Sequence, residues 1–159
     1  MKAALLDAHG EKTFALIFDK GDEVVAELTA FAKREKLGGS HLTAIGAFSD
    51  VTLGYFDRER KEYLRIPLNE QLELVSLLGD IALDRGQPKL HAHVVVGRAD
   101  GTVRGGHLLE AHVWPTLEVI LTESPRHLVR TLDRESGLAL IRVDGQPRGV
   151  DSVGQTRTR

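Results

Sequence analysis

The chain has 159 residues, 42% of them hydrophobic and 28% charged, which suits one globular domain large enough to build a core without staples. It has no cysteine, which excludes disulfides, thiolate zinc sites and cysteine nucleophiles, so a metal here must be held by His, carboxylate or water. The formal net charge of −2 argues against nonspecific attraction to nucleic acid over the whole surface. No apolar run suits a signal peptide or a membrane span, so a cytoplasmic protein with no membrane partner is expected.

Lys2 to Phe18 gives a first strand or strand pair, with Thr13 to Phe18 the stronger part. Lys20-Gly21-Asp22 turns the chain and offers Asp22 as a helix N-cap. Over the main predicted helix, residues 22–37, Val24, Val25, Leu28, Phe31, Ala32 and Leu37 share one face. Lys33 to Lys36 make its end basic, which suits the macrodipole, and Gly38-Gly39 stops it. His41 to Ala47 and Val51 to Asp57 read as two strands, with Gly46 and Gly54 marking close backbone approach or a bulge. His41 has no partner by spacing and is read as structural. Arg58 to Lys61 forms a charged hairpin tip of mixed sign, and Tyr63 to Leu68 the return strand. Leu72 to Leu83 fits a helix about as well as a buried strand.

Residues 89–109 read as a β-hairpin that carries three histidines. Its arms are Leu90 to Arg98 and Thr102 to Leu109, joined by Ala99-Asp100-Gly101 with Gly101 at the φ > 0 position of a three-residue loop. That loop sets His93 opposite His107 and His91 opposite Leu109. His91 and His93, two apart on a strand, share a face. Opposed residues share a face as well, with Cβ atoms roughly 4.5–5.5 Å apart. His91, His93 and His107 then form a triangle suited to zinc or another divalent ion, with a position left for water or substrate. The inference depends on register, because a two-residue loop would put His107 on the other face. Gly105-Gly106 reads either as a close approach to a neighbour, a metal-bound ligand or an anion, or as a β-bulge.

Ala111 to Glu123 is the next strand or strand pair, interrupted at Trp114-Pro115. Glu118 stands among Leu117, Val119, Ile120 and Leu121. It reads either as an acceptor for a ligand imidazole or a general acid/base, or as a solvent-facing strand residue. Glu110 and His112 have weaker claims, and His127 is read as structural. Residues 127–130 and 138–141 give two short strands. The domain is placed at residues 1–143, and residues 144–159 read as a polar, disordered tail. The chain has no phosphate loop, no dinucleotide fingerprint, no serine nucleophile elbow and no basic-aromatic interleaving.

Leu90-His91-Ala92-His93, the Asp100-Gly101 turn and Gly105-Gly106-His107-Leu108-Leu109-Glu110 together resemble the signature of the PPC domain, the plants-and-prokaryotes conserved domain. The resemblance extends to Gly21 to Leu28, Ala44 to Ala47, Glu73 to Gly79 and Thr116 to Leu121. It implies a compact α+β domain, a mostly antiparallel sheet with one main helix, that assembles as a homotrimer. It favours a strand from about Leu74 to Ala82. It also implies a metal site at His91, His93 and His107, and a fold similar to that of acetolactate decarboxylase, a zinc lyase. Plant members join the domain to AT-hooks, and many bacterial members carry a DNA-binding label. Here Pro147-Arg148-Gly149 lacks the Arg-Gly-Arg-Pro core of an AT-hook. Two functions are therefore carried forward. One is a metal-binding protein with lyase-like chemistry on a small molecule. The other is a non-enzymatic, DNA-associated or protein-interaction module.

Overall fold

Period-two burial builds the first strands. In Lys12–Phe18 the side chains of Phe14, Leu16 and Phe18 point inward and the residues between them stay more open. A computed structural model describes residues 1–7 and 10–143. Among them the order is β1 (Lys2–Asp7), β2 (Lys12–Phe18), α1 (Val24–Glu35), β3 (Gly39–Asp57), β4 (Glu62–Leu68), β5 (Leu72–Asp84), β6 (Gln87–Gly97), β7 (Val103–Glu123), β8 (Val129–Leu132) and β9 (Ala139–Arg142). The expected α+β class, a mostly antiparallel sheet with one helix, is what the structure has. The tail at 144–159 lies outside the described residues.

Two long strands organise the sheet. β7 pairs with β3 along most of its length, with β6 at its start and with β2 at its end. β3 pairs with β5 over its first half and with β4 over its second. Because β5 also pairs with β6, strands β3, β7, β6 and β5 close a circuit of hydrogen bonds. Where β3 begins, at Gly39, β8 takes over beside β5 as a short parallel partner, with Leu83 against Val129 and Asp84 against Arg130.

Helix α1 covers the inner side. Val24, Leu28, Phe31 and Ala32 are buried at helical spacing, and the Phe31 ring meets Phe14 edge-on at 5.2 Å. Each of the large side chains sealed here contributes about 1.5–3 kcal/mol by burial. The core continues through Phe48, Leu53, Leu77, Ile81, Val96 and Leu117. Among the described residues no helix is long and apolar enough to cross a membrane.

Four sequence expectations change in detail. Glu23, not Asp22, caps α1: its carboxylate accepts the N–H groups of Val25 and Ala26. Asp22 instead accepts the Asp19 N–H and pairs with the N-terminal amine at 2.7 Å. The helix stops at Lys36, which adopts the left-handed conformation before the glycine pair is reached. The two strands expected between His41 and Asp57 are one, bent by register shifts around Gly46, Phe48 and Asp50 rather than broken. Ala111 to Glu123 likewise continues the second hairpin arm through a cis Trp114–Pro115 bond.

Candidate metal centre

The geometry of the centre begins in its turn. The Arg98 N–H donates to the Thr102 carbonyl at 2.9 Å, and the Gly101 N–H donates to the Arg98 carbonyl at 2.9 Å. Gly101 takes φ +79°, and Asp100 accepts the N–H and hydroxyl of Thr102. This is the three-residue loop read from the sequence, and it pairs His93 with His107. The ladder begins at that pair, so His91 stands beyond it rather than opposite Leu109. Ala92, Val94 and Val96 point into the core, which turns His91 and His93 outward.

The three imidazoles converge. Ring centroids lie 5.2 Å apart for His91 and His93, 5.3 Å for His91 and His107, and 5.4 Å for His93 and His107. One ring nitrogen from each lies within 4.8 Å of the others. Nitrogens bound to tetrahedral zinc at 2.0–2.1 Å are roughly 3.3 Å apart, so closing on an ion asks for about an ångström of side-chain movement.

Protonation suits ligation. Burial first, then the neighbouring His91 and His93, pushes His107 down to about 4. Burial and His91 also hold His93 below the usual imidazole range. Both are therefore neutral at neutral pH, the form that binds a metal. Nδ1 of His107 is buried and has no hydrogen-bond partner among the described residues. Such an atom costs stability unless something accepts its lone pair or shares its proton, and a metal ion would do the former. Tyr63 of β4 stacks on the His107 ring at 4.6 Å, and burial raises its own phenol.

Asp80 sits opposite His91 across the β5–β6 ladder, with Oδ2 3.5 Å from Nδ1 of His91. Burial works against its ionisation, but His91 and the Arg130 guanidinium outweigh this and hold the carboxyl below its usual range. A carboxylate on the second nitrogen of a ligand imidazole is a recurrent feature of metal sites.

Glu118 is not brought to the cluster. It lies on β7 two residues along from Ile120, which is in register with His93 through Leu78 and Thr43, so three strand spacings, on the order of 15 Å, separate it from the histidines, and it is exposed between Ile17 and Ile45. Within one chain it does not reach the three histidines, and the carboxylate that stands beside one of them is Asp80. Glu110 meets Arg65 at 3.2 Å, and Nδ1 of His112 meets Asp50 at 2.8 Å. Exposed His41 faces Asp80 and Thr122 in register, and His127 lies 3.9 Å from the buried carboxylate of Glu123. Gly105 and Gly106 pair with β6 without a register shift. Their close approach is to neighbouring strands: a Cβ on Gly106 would lie 2.9 Å from the Gly54 carbonyl.

Sequence reasoning missed Asp80 and Tyr63. The signal for Asp80 was the one applied to Glu118, a single carboxylate in an apolar strand, here between Gly79 and Ile81. Nothing in the local pattern brings Tyr63 to His107.

Known proteins carry the same fold. The chain is 36% identical to a metal-containing protein from Archaeoglobus fulgidus, with a TM-score of 0.77 over 83% of this chain and 94% of that one. It is 34% identical to a plant- and prokaryote-conserved protein from Pyrococcus horikoshii, with a TM-score of 0.78 over 89% of this chain and 95% of that one. A relative from Bacteroides thetaiotaomicron, described provisionally as DNA-binding, is 27% identical at a TM-score of 0.79, covering 88% of this chain and 96% of that one. A Staphylococcus aureus protein similar to α-acetolactate decarboxylase shares the fold alone, at 14% identity and a TM-score of 0.52, over 70% of this chain and 52% of that one. Among curated proteins, two Synechococcus proteins named bifunctional protein GlmU match at 34% and 30% identity, over 65% and 73% of this chain. The matched region spans only 16% and 17% of their lengths. The family model of the Plants and Prokaryotes Conserved (PCC) domain matches residues 7–125, and the chain belongs to that family.

Proposed function

We propose that this chain is a PCC-domain protein that binds a divalent metal, zinc by preference, through His91, His93 and His107. The observation that carries the reading is the convergence of three imidazoles on one outward face, their ligand nitrogens within 4.8 Å. The metal-containing Archaeoglobus relative supports it. A three-histidine centre leaves room for a further ligand, and the ion it holds can polarise a carbonyl or activate water. Lyase-like chemistry on a small molecule belongs to this reading, with Tyr63 walling the site on the His107 side. A cytoplasmic setting belongs to it as well.

A homotrimer is part of the same proposal. The face that carries His93 continues in register across Leu78, Thr43 and Ile120, and Leu78 and Ile120 are exposed. An apolar sheet face of this kind suits cover by further copies of the chain. The alternative, a DNA-associated module, draws support from the description of the Bacteroides relative. The histidine geometry gives it none.

Thermal unfolding of metal-stripped protein tests the metal reading. Zinc at a hundredfold excess over its Kd adds about 2.7 kcal/mol to the folded state. For a chain of this size that raises Tm by about 5–10 °C. Chelator should reverse the shift. A scan in which zinc, cobalt, nickel and manganese all leave Tm unchanged would overturn the proposal.

A further inference from the structure

We infer that Arg130 and Asp80 form a positioning relay that fixes the His91 ring for the metal, which makes the C-terminal hairpin β8–β9 part of the metal centre. The inference rests on the metal-binding reading and extends it to residues beyond the stretch that the family model matches, which ends at 125.

Three contacts build the relay. Arg130 of β8 is only 8% exposed, an unusual place for a guanidinium. Its Nη2 donates to Oδ1 of Asp80, and its Nη1 donates to the Ala139 carbonyl at 3.2 Å. The other oxygen of Asp80 faces Nδ1 of His91 at 3.5 Å. Asp80 thus has one oxygen anchored by a buried cation and the other directed at the imidazole.

Chemistry gives the arrangement its direction. A carboxylate accepts only, so its position beside His91 Nδ1 favours the proton on that nitrogen. That selects the Nδ1–H tautomer and leaves Nε2 with the free lone pair that a metal takes. Arg130 restrains the carboxylate. The fold delivers Arg130 because β8 runs parallel to the end of β5, where β3 has not yet begun.

The plain alternative is an ion pair that only ties the hairpin to the sheet. Arg130 would satisfy that role with any acceptor. It does not require the acceptor's second oxygen to face a member of the histidine cluster. A buried pair is also a weak source of net stability, because desolvation offsets most of the attraction.

The experiment uses the full chain, metal-stripped and with 15N-labelled histidines. Long-range 15N–1H spectra report the tautomer of His91, competition with a chromophoric chelator reports zinc affinity, and urea unfolding reports stability. Wild type is expected to hold His91 as Nδ1–H. Asp80→Asn should lose that preference and weaken zinc binding by about 10- to 100-fold while remaining folded. Arg130→Gln should weaken zinc binding in the same direction, and Arg130→Lys should recover part of it. Wild-type affinity in both Asp80→Asn and Arg130→Gln would overturn the relay while leaving the metal reading intact. If the wild type binds no zinc, the metal reading fails by itself. The His91 tautomer then judges the relay: Nδ1–H supports it and Nε2–H overturns it.

Discussion

Replacing His107 with phenylalanine is expected to abolish zinc-induced stabilisation and to leave the metal-free protein as stable as wild type, or about 1 kcal/mol more so. The reasoning starts from the buried, unpartnered Nδ1 of His107. A buried polar atom without a partner costs about 1–3 kcal/mol, which an apolar ring does not incur. Phenylalanine keeps an aromatic face against Tyr63, where the present rings lie 4.6 Å apart at 26°. It also removes the imidazole that burial has driven to about 4. A residue kept for packing should cost stability when changed, whereas one kept for a ligand should release it. Urea unfolding with and without zinc separates the two. A loss of several kcal/mol in the metal-free variant would show that His107 is structural.

A large loss of stability is expected at Gly46. It sits in β3 at φ +152°, between two register shifts. A Cβ there would lie 2.5 Å from the Thr116 carbonyl oxygen and 2.8 Å from Cα of Leu117. Both are backbone atoms of β7, so no side chain can swing aside. Gly46→Ala is expected to cost on the order of 4 kcal/mol, a large share of the 5–15 kcal/mol typical of a domain. Gly101→Ala is the matched control. It too has φ > 0, at +79°, but among the described residues nothing beyond its chain neighbours lies within 4 Å of its Cβ position, and the expected cost is about 1–2 kcal/mol. Urea midpoints with unchanged m-values measure both. Equal losses at the two glycines would contradict the close-approach argument.

These residues also show what the sequence makes legible. The pairing of His93 with His107 is written in a short loop, because one glycine in the left-handed region sets the register of both arms. Local chemistry decided it, so local reading recovered it. The N-cap of α1 was one residue off because Asp22 and Glu23 are adjacent carboxylates and only the fold reveals that Asp22 is taken by the N-terminal amine. The stretch between Ala47 and Val51 and the Trp114-Pro115 pair look like breaks, yet the strands that hold them run on, and Gly46 is the close backbone approach its place in a strand implies. β3 and β7 support each other through the irregular stretches, and tertiary pairing overrides the local signal.

The ambiguity at Leu72 to Leu83 has a definite cause. In β5 the inward residues are Leu72 and Leu74, then Leu77 and Ile81, because the register shifts at Val75 in the pairing with both neighbours. A bulge moves the buried set from even to odd positions, and the result imitates a helical repeat. The Asp80–Arg130 contact was beyond reach for another reason. Its partners are fifty residues apart and meet through a two-residue parallel pairing that leaves no periodic trace. Glu118 attracted attention by the right criterion, a carboxylate in an apolar strand. Register alone distinguishes it from Asp80.

The most direct measurement is metal content by mass spectrometry on protein purified without an affinity tag, for wild type and the His91→Ala/His93→Ala double variant. The account predicts about one divalent ion per chain in the wild type, zinc foremost, and a trace in the variant. Metal-free wild type that stays metal-free after incubation with zinc, or equal metal in both proteins, would contradict it.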